Sequence, residues 1–326
     1  MFKRFVSAAL CLALLMCCIP MLSGCDETKI GAEEYPLTVS GVTIESEPKR
    51  VVCASALLTE VIVEIGLEGS LVGRPFDCEL PETISLPAVG TASSPSSSAI
   101  INLEPDLVIL DRSAPEEELQ KLADAGITVL VLDIAIDRLS FRNLYACIGA
   151  AINGAVTGQE QGIAAAERIL IALDDIERAT MSEEPVNVVV FTDENIRKVI
   201  TGQHIATMCI ELAGGFNLCI DQDTDDALLN EIAPSNPGVL LCIEGTEALL
   251  RSKRELLNSD AFADNRVHTY DSGKFNTLGS GLITATWEMA RILHPTLITP
   301  DMLPEGAINY IVEESIVIFE DLPEEE

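Results

Sequence analysis

Basic residues are scarce in this chain. Only 20 Lys and Arg stand against 52 Asp and Glu over 326 residues, a formal net charge of −32. Phosphate backbones are bound through basic footprints, so nucleic acid is excluded as a partner. Histidine is scarcer still: the sequence holds His204, His268 and His294 and no other. A bare zinc or manganese receptor needs several His and carboxylate ligands together, so that class is disfavoured and no resident metal or cofactor is expected. No two cysteines form a CxxC pair, and neither a phosphate-cradling glycine loop nor a paired nucleophile and base stands out. An enzymatic reading therefore has poor sequence support. Beyond the first 24 residues no second long apolar run occurs, so nothing else reads as a membrane span.

What is present begins at the amino terminus. Lys3 and Arg4 precede an apolar stretch from Phe5 to Leu22 that closes in Ser23-Gly24-Cys25, the layout of an export signal. Its small-small-Cys ending resembles the bacterial lipoprotein signal. That resemblance implies cleavage after residue 24, lipidation of Cys25 and a protein tethered outside the cytoplasmic membrane. The competing reading is an uncleaved membrane helix with Cys25 a bystander, although the run is short for a span of about 20 residues. Loss of Lys3 and Arg4 takes the net charge to −34 and leaves 302 residues, a length suited to two lobes. The acidic balance is read as surface solvation rather than long-range steering, which salt screens over roughly 8 Å.

Six cysteines remain beyond the signal region: Cys53, Cys78, Cys147, Cys209, Cys219 and Cys242. Cys53 and Cys242 sit inside apolar runs, as small buried hydrophobes do, and free thiols are expected. Thiols of that kind persist outside a cell only in reducing surroundings.

Residues 25–40 are polar and read as a flexible spacer. From Gly41 the pattern alternates between short apolar runs and helical stretches: strands at 50–54, 71–73, 107–110 and 128–132, with helices at 57–66, 98–103 and 116–125. Such alternation predicts parallel α/β layers over a first lobe, 41–138. A helical connector follows over 139–184, where Ile163, Ala166, Leu170, Leu173 and Ile176 recur at helical spacing. The alternation then resumes over a second lobe, 185–299, with strands at 186–191, 239–243 and 266–270 and helices at 205–213, 226–233, 246–257 and 282–293. In each lobe a short helix ends at a proline that launches a buried strand, at Glu104-Pro105-Asp106 and at Asn236-Pro237-Gly238. The tail, 300–326, reads as a packed terminal helix carrying Ile308, Ile311, Val312, Ile316 and Phe319 and an acidic end.

Several pieces taken in order resemble one family. They are Pro48-Lys49-Arg50-Val51-Val52 with Thr59-Glu60, then Gly66-Leu67 and Leu71-Val72-Gly73, Val89-Gly90, Glu104 to Ile109, and Ala125-Gly126-Ile127 with Val131-Leu132-Asp133. Glu211 to Asn217, Val267 to Asp271 and Leu293-His294-Pro295 complete the series. Over about residues 41–297 the chain resembles the solute-binding proteins for ferric siderophores, haem and cobalamin that are built on a rigid helical backbone. The resemblance implies two Rossmann-like lobes with parallel sheets joined by a long helix, a ligand cleft between them, and a monomer that delivers its cargo to an ABC permease and its ATPase. No reaction is implied.

Ligands of open α/β sheets gather at the carboxyl ends of the strands. From the loops there, Arg74, Arg112 and Arg197 are taken as candidates for anionic oxygens, since a guanidinium fork suits planar anions. Phe76, Phe191 and Phe275 are candidates for packing on a flat ligand. His204 is a candidate for contact with a haem or corrinoid metal, against the alternative of a capping histidine. Transport members of the family carry a glutamate on each lobe seven residues before the strand-launching proline, where this chain has Ser98 and Asn230. Docking on a permease is therefore assigned to the shifted acids Glu104 and Glu231. A sensor or scavenger that binds the same ligand without feeding a transporter is the competing function, and a chelatase-like enzyme, implied by the relatedness of such lobes to metallochelatases, is a more distant one.

Overall fold

The computed structural model of the protein describes residues 33–271 and 273–298. Cys25, the signal and the tail with its apolar stripe lie outside the described residues. Twelve strands are described: β1 Leu37–Val39, β2 Val42–Ile44, β3 Val51–Cys53, β4 Leu71–Gly73, β5 Gly90–Thr91, β6 Ser94–Pro95, β7 Leu107–Asp111, β8 Thr128–Leu132, β9 Val186–Val190, β10 Gly215–Asn217, β11 Val239–Ile243 and β12 Val267–Tyr270. The α-helices are α1 Ala56–Ile65, α2 Ser97–Asn102, α3 Glu116–Asp124, α4 Arg138–Asn153, α5 Gln159–Thr180, α6 Ile205–Leu212, α7 Leu229–Ile232, α8 Glu247–Arg251, α9 Asp260–Ala263 and α10 Gly281–Leu293.

Two parallel four-stranded sheets form the lobes, ordered β4-β3-β7-β8 and β10-β9-β11-β12. In order of appearance within each lobe both sheets read second, first, third, fourth. The shared order extends the echo seen at the two proline joints to the whole of each lobe.

The central strands are apolar apart from Asn187 of β9 and the terminal Asp111 of β7, because both of their faces are covered. Alternation still divides them. Val51, Cys53, Leu107, Ile109, Val188, Val190, Val239 and Leu241 belong to one large core that also holds the inner faces of α4 and α5. Their neighbours Val52, Val108 and Leu110 face a second cluster on the outside of the first lobe. Val189, Leu240 and Cys242 face a third, on the outside of the second lobe.

An α-helical hairpin joins the lobes. Asp137 opens α4 with a capping box, its carboxylate accepting from Ser140 N while Ser140 Oγ accepts from Asp137 N. A π-turn over Gly154–Gly158 then reverses the chain into α5. With 22 residues, α5 is about 33 Å long at 1.5 Å per residue. Ala166, Leu170, Leu173 and Ile176 are buried along it and Ile163 is half-buried, as the spacing predicts.

The segment read as a spacer is ordered sooner than expected. Leu37–Val39 pairs antiparallel with Val42–Ile44, and Val39 and Ile44 enter the main core. A three-residue strand holds too few residues for alternation to register in the sequence.

All six cysteines are free, and all but the half-buried Cys147 are buried. Burial pushes the Cys53 and Cys209 thiols up to about 12 and Cys219 to about 11. A soluble chain beginning after Cys25 is expected to titrate six thiols in denaturant and, when native, to expose Cys147 first. A count below six in denaturant would show a disulfide.

Candidate functional site

The strand order of each sheet reverses direction between its first and third strands, β3 and β7 in one lobe and β9 and β11 in the other. Crevices open at such switch points, outside the carboxyl ends of the strands. A cavity of about 510 Å³ lies there between the lobes, lined from one side by Ala56, Leu57, Glu60 and Asp77 and from the other by Thr192, Ile200, His204, Tyr270, Gly273, Phe275 and Asn276. A second hollow of about 480 Å³ has Asp111, Arg112, Ser113 and Asp133 facing Gln203 across the lobes. A third, of about 340 Å³, shares Glu60 and Gly273 with the first and adds Glu64, Asp271 and Lys274.

Helix α1 sets the edge of this cleft. It follows β3 directly and ends at Gly66, whose φ of 84° is the left-handed cap that glycine takes without strain. Glu60, on its cleft side, reaches into the other lobe: Oε2 accepts from Thr277 Oγ1 at 2.9 Å, Leu278 N at 2.7 Å and Gly279 N at 3.2 Å. One turn on, Glu64 Oε1 accepts from Ser280 N at 2.7 Å. Tyr145 of α4 donates to Leu278 O at 2.7 Å. The approach to α10 is thus clasped by the first lobe and the connector together. Burial raises the Glu60 carboxyl above its ordinary range, the hydrogen bonds from Leu278, Thr277 and Gly279 oppose that, and the neighbouring Glu64 adds to it.

The candidate residues separate in space. His204 and Phe275 line the 510 Å³ cavity. His204 is the N-cap of α6, its Nδ1 accepting from Ala206 N at 3.0 Å. Phe275 meets Tyr270 edge-on at 5.2 Å, and Tyr270 Oη donates to Phe191 O at 3.1 Å. Burial raises the Tyr270 phenol to about 12. Arg112 lines the second hollow but is tied to Asp133, through Nε to Oδ1 and through Nη2 to Oδ2 at 3.0 Å.

The others stand apart from these cavities. Arg74 gives Nη1 to the carbonyls of Pro75 at 2.9 Å and Cys78 at 2.8 Å, so its guanidinium fixes its own loop. Phe76 lies on that loop, 73% exposed, beside the cavity residue Asp77. Phe191 belongs instead to the outer core of the second lobe, fully buried with Val189 and Leu240. Arg197 is exposed and lies 3.7 Å from Asp193. Glu104 and Glu231 are both exposed. Glu104 follows the end of α2 beside the start of β7, where its carbonyl accepts from Arg50 Nε at 3.1 Å, and the cleft is at the opposite end of that sheet. Sequence reasoning passed over Glu60, Asp77, Tyr270 and Gln203. A signal existed for the first of them: Glu60 and Glu64 are acids one turn apart on a helix whose other residues, Thr59 apart, are apolar and include no base.

Comparison with known proteins decides the family. The periplasmic binding protein family model matches residues 51–273. The chain belongs to this family. It is 25% identical over 309 residues to an uncharacterized ABC transporter substrate-binding lipoprotein of Bacillus subtilis (strain 168), covering 87% of this chain and 96% of that one. It is also 25% identical over 274 residues to a cobalamin-binding protein of Halobacterium salinarum, 79% of this chain and 73% of that one. Among solved structures, the periplasmic heme-binding protein of Roseiflexus sp. RS-1 in apo form superposes with a TM-score of 0.65 at 20% identity, over 76% of this chain and 98% of that one. The periplasmic vitamin B12 binding protein of Vibrio cholerae gives 0.62 at 18%, over 76% and 97%. At these identities the two structures establish the fold. The two-lobed α/β architecture of the periplasmic binding protein is thereby the one expected from the sequence.

Proposed function

We infer that this periplasmic binding protein is the lipid-anchored receptor of an ABC importer, held outside the cell membrane by Cys25, and that its cargo is a corrinoid. The observation that carries the ligand class is the charge of the cleft. Its three hollows are lined by the carboxylates of Glu60, Glu64, Asp77, Asp111, Asp133 and Asp271 against only two cations, Arg112 and Lys274. Both cations are already paired, Arg112 with Asp133 and Lys274 with Glu288 at 3.2 Å. Such a surface opposes the carboxylates of haem and the anionic oxygens of ferric siderophores. It suits a neutral, amide-fringed macrocycle, because like charges brought together in a desolvated cleft repel. The cobalamin-binding relative from Halobacterium supports the same choice. Within this reading His204 and Phe275 contact the cargo, and no bond is made or broken.

Docking on the permease is assigned to Glu231, one residue from Asn230 on α7, with Glu104 the less suitably placed acid of the first lobe. The absence of glutamate at Ser98 and Asn230 favours, as a second reading, a binder not coupled to transport.

A melting screen over cyanocobalamin, haem and a ferric catecholate siderophore tests the ligand. Cyanocobalamin at one hundred times its Kd is expected to stabilise the protein by about 2.7 kcal/mol, with smaller or no shifts for the anionic chelates. A shift with haem or the siderophore alone overturns the corrinoid assignment, and no shift with any of them overturns the receptor reading.

A further inference from the structure

His204 stands in the cleft wall with one nitrogen committed. Ala206 N carries a hydrogen in every protonation state of the protein, so the 3.0 Å contact from it requires a lone pair on His204 Nδ1. The proton of the neutral ring is then on Nε2. Protonating Nδ1 as well would set two donors against each other and uncap α6, and burial lowers the pKa of this histidine further. Among the described residues Nε2 has no hydrogen-bond partner, while the side chain lines the 510 Å³ cavity. Coordination by imidazole needs a lone pair on the coordinating nitrogen. Here the one lone pair is spent on the helix and the other nitrogen bears hydrogen.

The remaining ring donor of the cavity is similarly committed. Tyr270 gives its hydroxyl proton to Phe191 O at 3.1 Å, and its phenol is far from ionising at neutral pH. No cysteine or methionine lines the cavity.

We propose that the cleft holds its metal complex by the organic periphery and contributes no axial ligand from His204, which instead donates Nε2–H to an oxygen acceptor, such as an amide carbonyl, on the bound molecule. The proposal rests on the receptor reading above. It places recognition in the groups around the metal and makes a vacant or exchangeable axial position irrelevant to affinity.

Aquocobalamin is the probe, because its exchangeable axial water is replaced by an available imidazole with a change in the visible spectrum. Bound to the native-sequence receptor it is expected to keep the spectrum of the free aquo complex. His204→Leu, which removes both the cap and the donor, should weaken binding about tenfold, the scale of one hydrogen bond. His204→Asn, whose carbonyl oxygen can cap α6 and whose amide can donate, should recover most of that loss. A spectral shift on binding that His204→Asn abolishes would show coordination and overturn the proposal, as would a leucine variant that binds as tightly as the native protein. If neither aquocobalamin nor cyanocobalamin binds the native protein, the corrinoid reading falls and this proposal with it; binding accompanied by a shift removes this proposal alone.

Discussion

Gly162→Ala is expected to cost about 3 kcal/mol or more, the upper end of what overpacking does in a close-packed interior. Helices α4 and α5 approach so closely that a Cβ on Gly162 would overlap the carbonyl oxygen of Tyr145, and one on Gly149 would overlap that of Gly158. The obstacle in each case is backbone, which cannot rotate aside as a side chain can. Relief would require the two helices to move apart along a seam where Tyr145, Ile148, Ile152, Ala165 and Ile169 are all buried. The midpoint of chemical denaturation measures the effect. A loss below about 1 kcal/mol would mean that the hairpin yields easily and does not fix the distance between the lobes.

Glu60→Ala is expected to destabilise the protein by about 2 to 4 kcal/mol, since it leaves the amide of Leu278 and the hydroxyl of Thr277 without their acceptor and the amide of Gly279 with Thr277 Oγ1 alone, at 3.3 Å. Glu60→Gln keeps an acceptor oxygen and should cost less. Its clearer signature is in pH. The folded carboxyl has a pKa raised from the ordinary 4.5, chiefly by burial, so the folded state binds this proton more tightly than the unfolded chain does. The stabilisation that follows is complete below 4.5 and is lost as the pH rises through the raised value. Denaturation midpoints taken from pH 4 to 7 should show that decline in the native sequence and a flatter line in Glu60→Gln. An unchanged slope would mean that the clasp does not sense the proton.

Much of the fold was legible in the sequence because most of its parallel strands appear as short, largely apolar runs. Leu71–Gly73, Thr128–Leu132 and Val239–Ile243 stand where the pattern puts them. The two-residue ladder of Gly90–Thr91 with Ser94–Pro95 and the edge strand Gly215–Asn217 carry no readable period, being too short to contain one. The helix expected over 226–233 shrinks to Leu229–Ile232, because Asp226 is drawn into a bridge with Lys198 and Ala227 N bonds to Arg197 O instead. The helix expected over 246–257 breaks after Arg251 and resumes only as a 3₁₀ turn, Arg254–Leu256.

The cleft was less legible. Its position followed from the alternation of strands and helices, whereas the contacts within it depend on which way individual side chains turn. Arg74 and Arg112 were chosen for their charge, and charge does not reveal that one holds its own loop and the other a carboxylate. Phe191 is the instructive case. Alternation along Val188, Val189, Val190 and Phe191 already assigns the ring to the face of Val189, the outer core, so parity within the strand carried more information than its place at the strand end.

The inner faces of both sheets meet one apolar cluster, with α4 and α5 between them. Each lobe keeps an outer cluster of its own, but neither half of the chain owns the inner core it depends on. A fragment carrying one sheet without the hairpin would present Val51, Leu107 and Ile109, or Val188, Val239 and Leu241, to water. The two lobes thus share one inner core, so that packing lost in the hairpin is felt on both sides of the cleft.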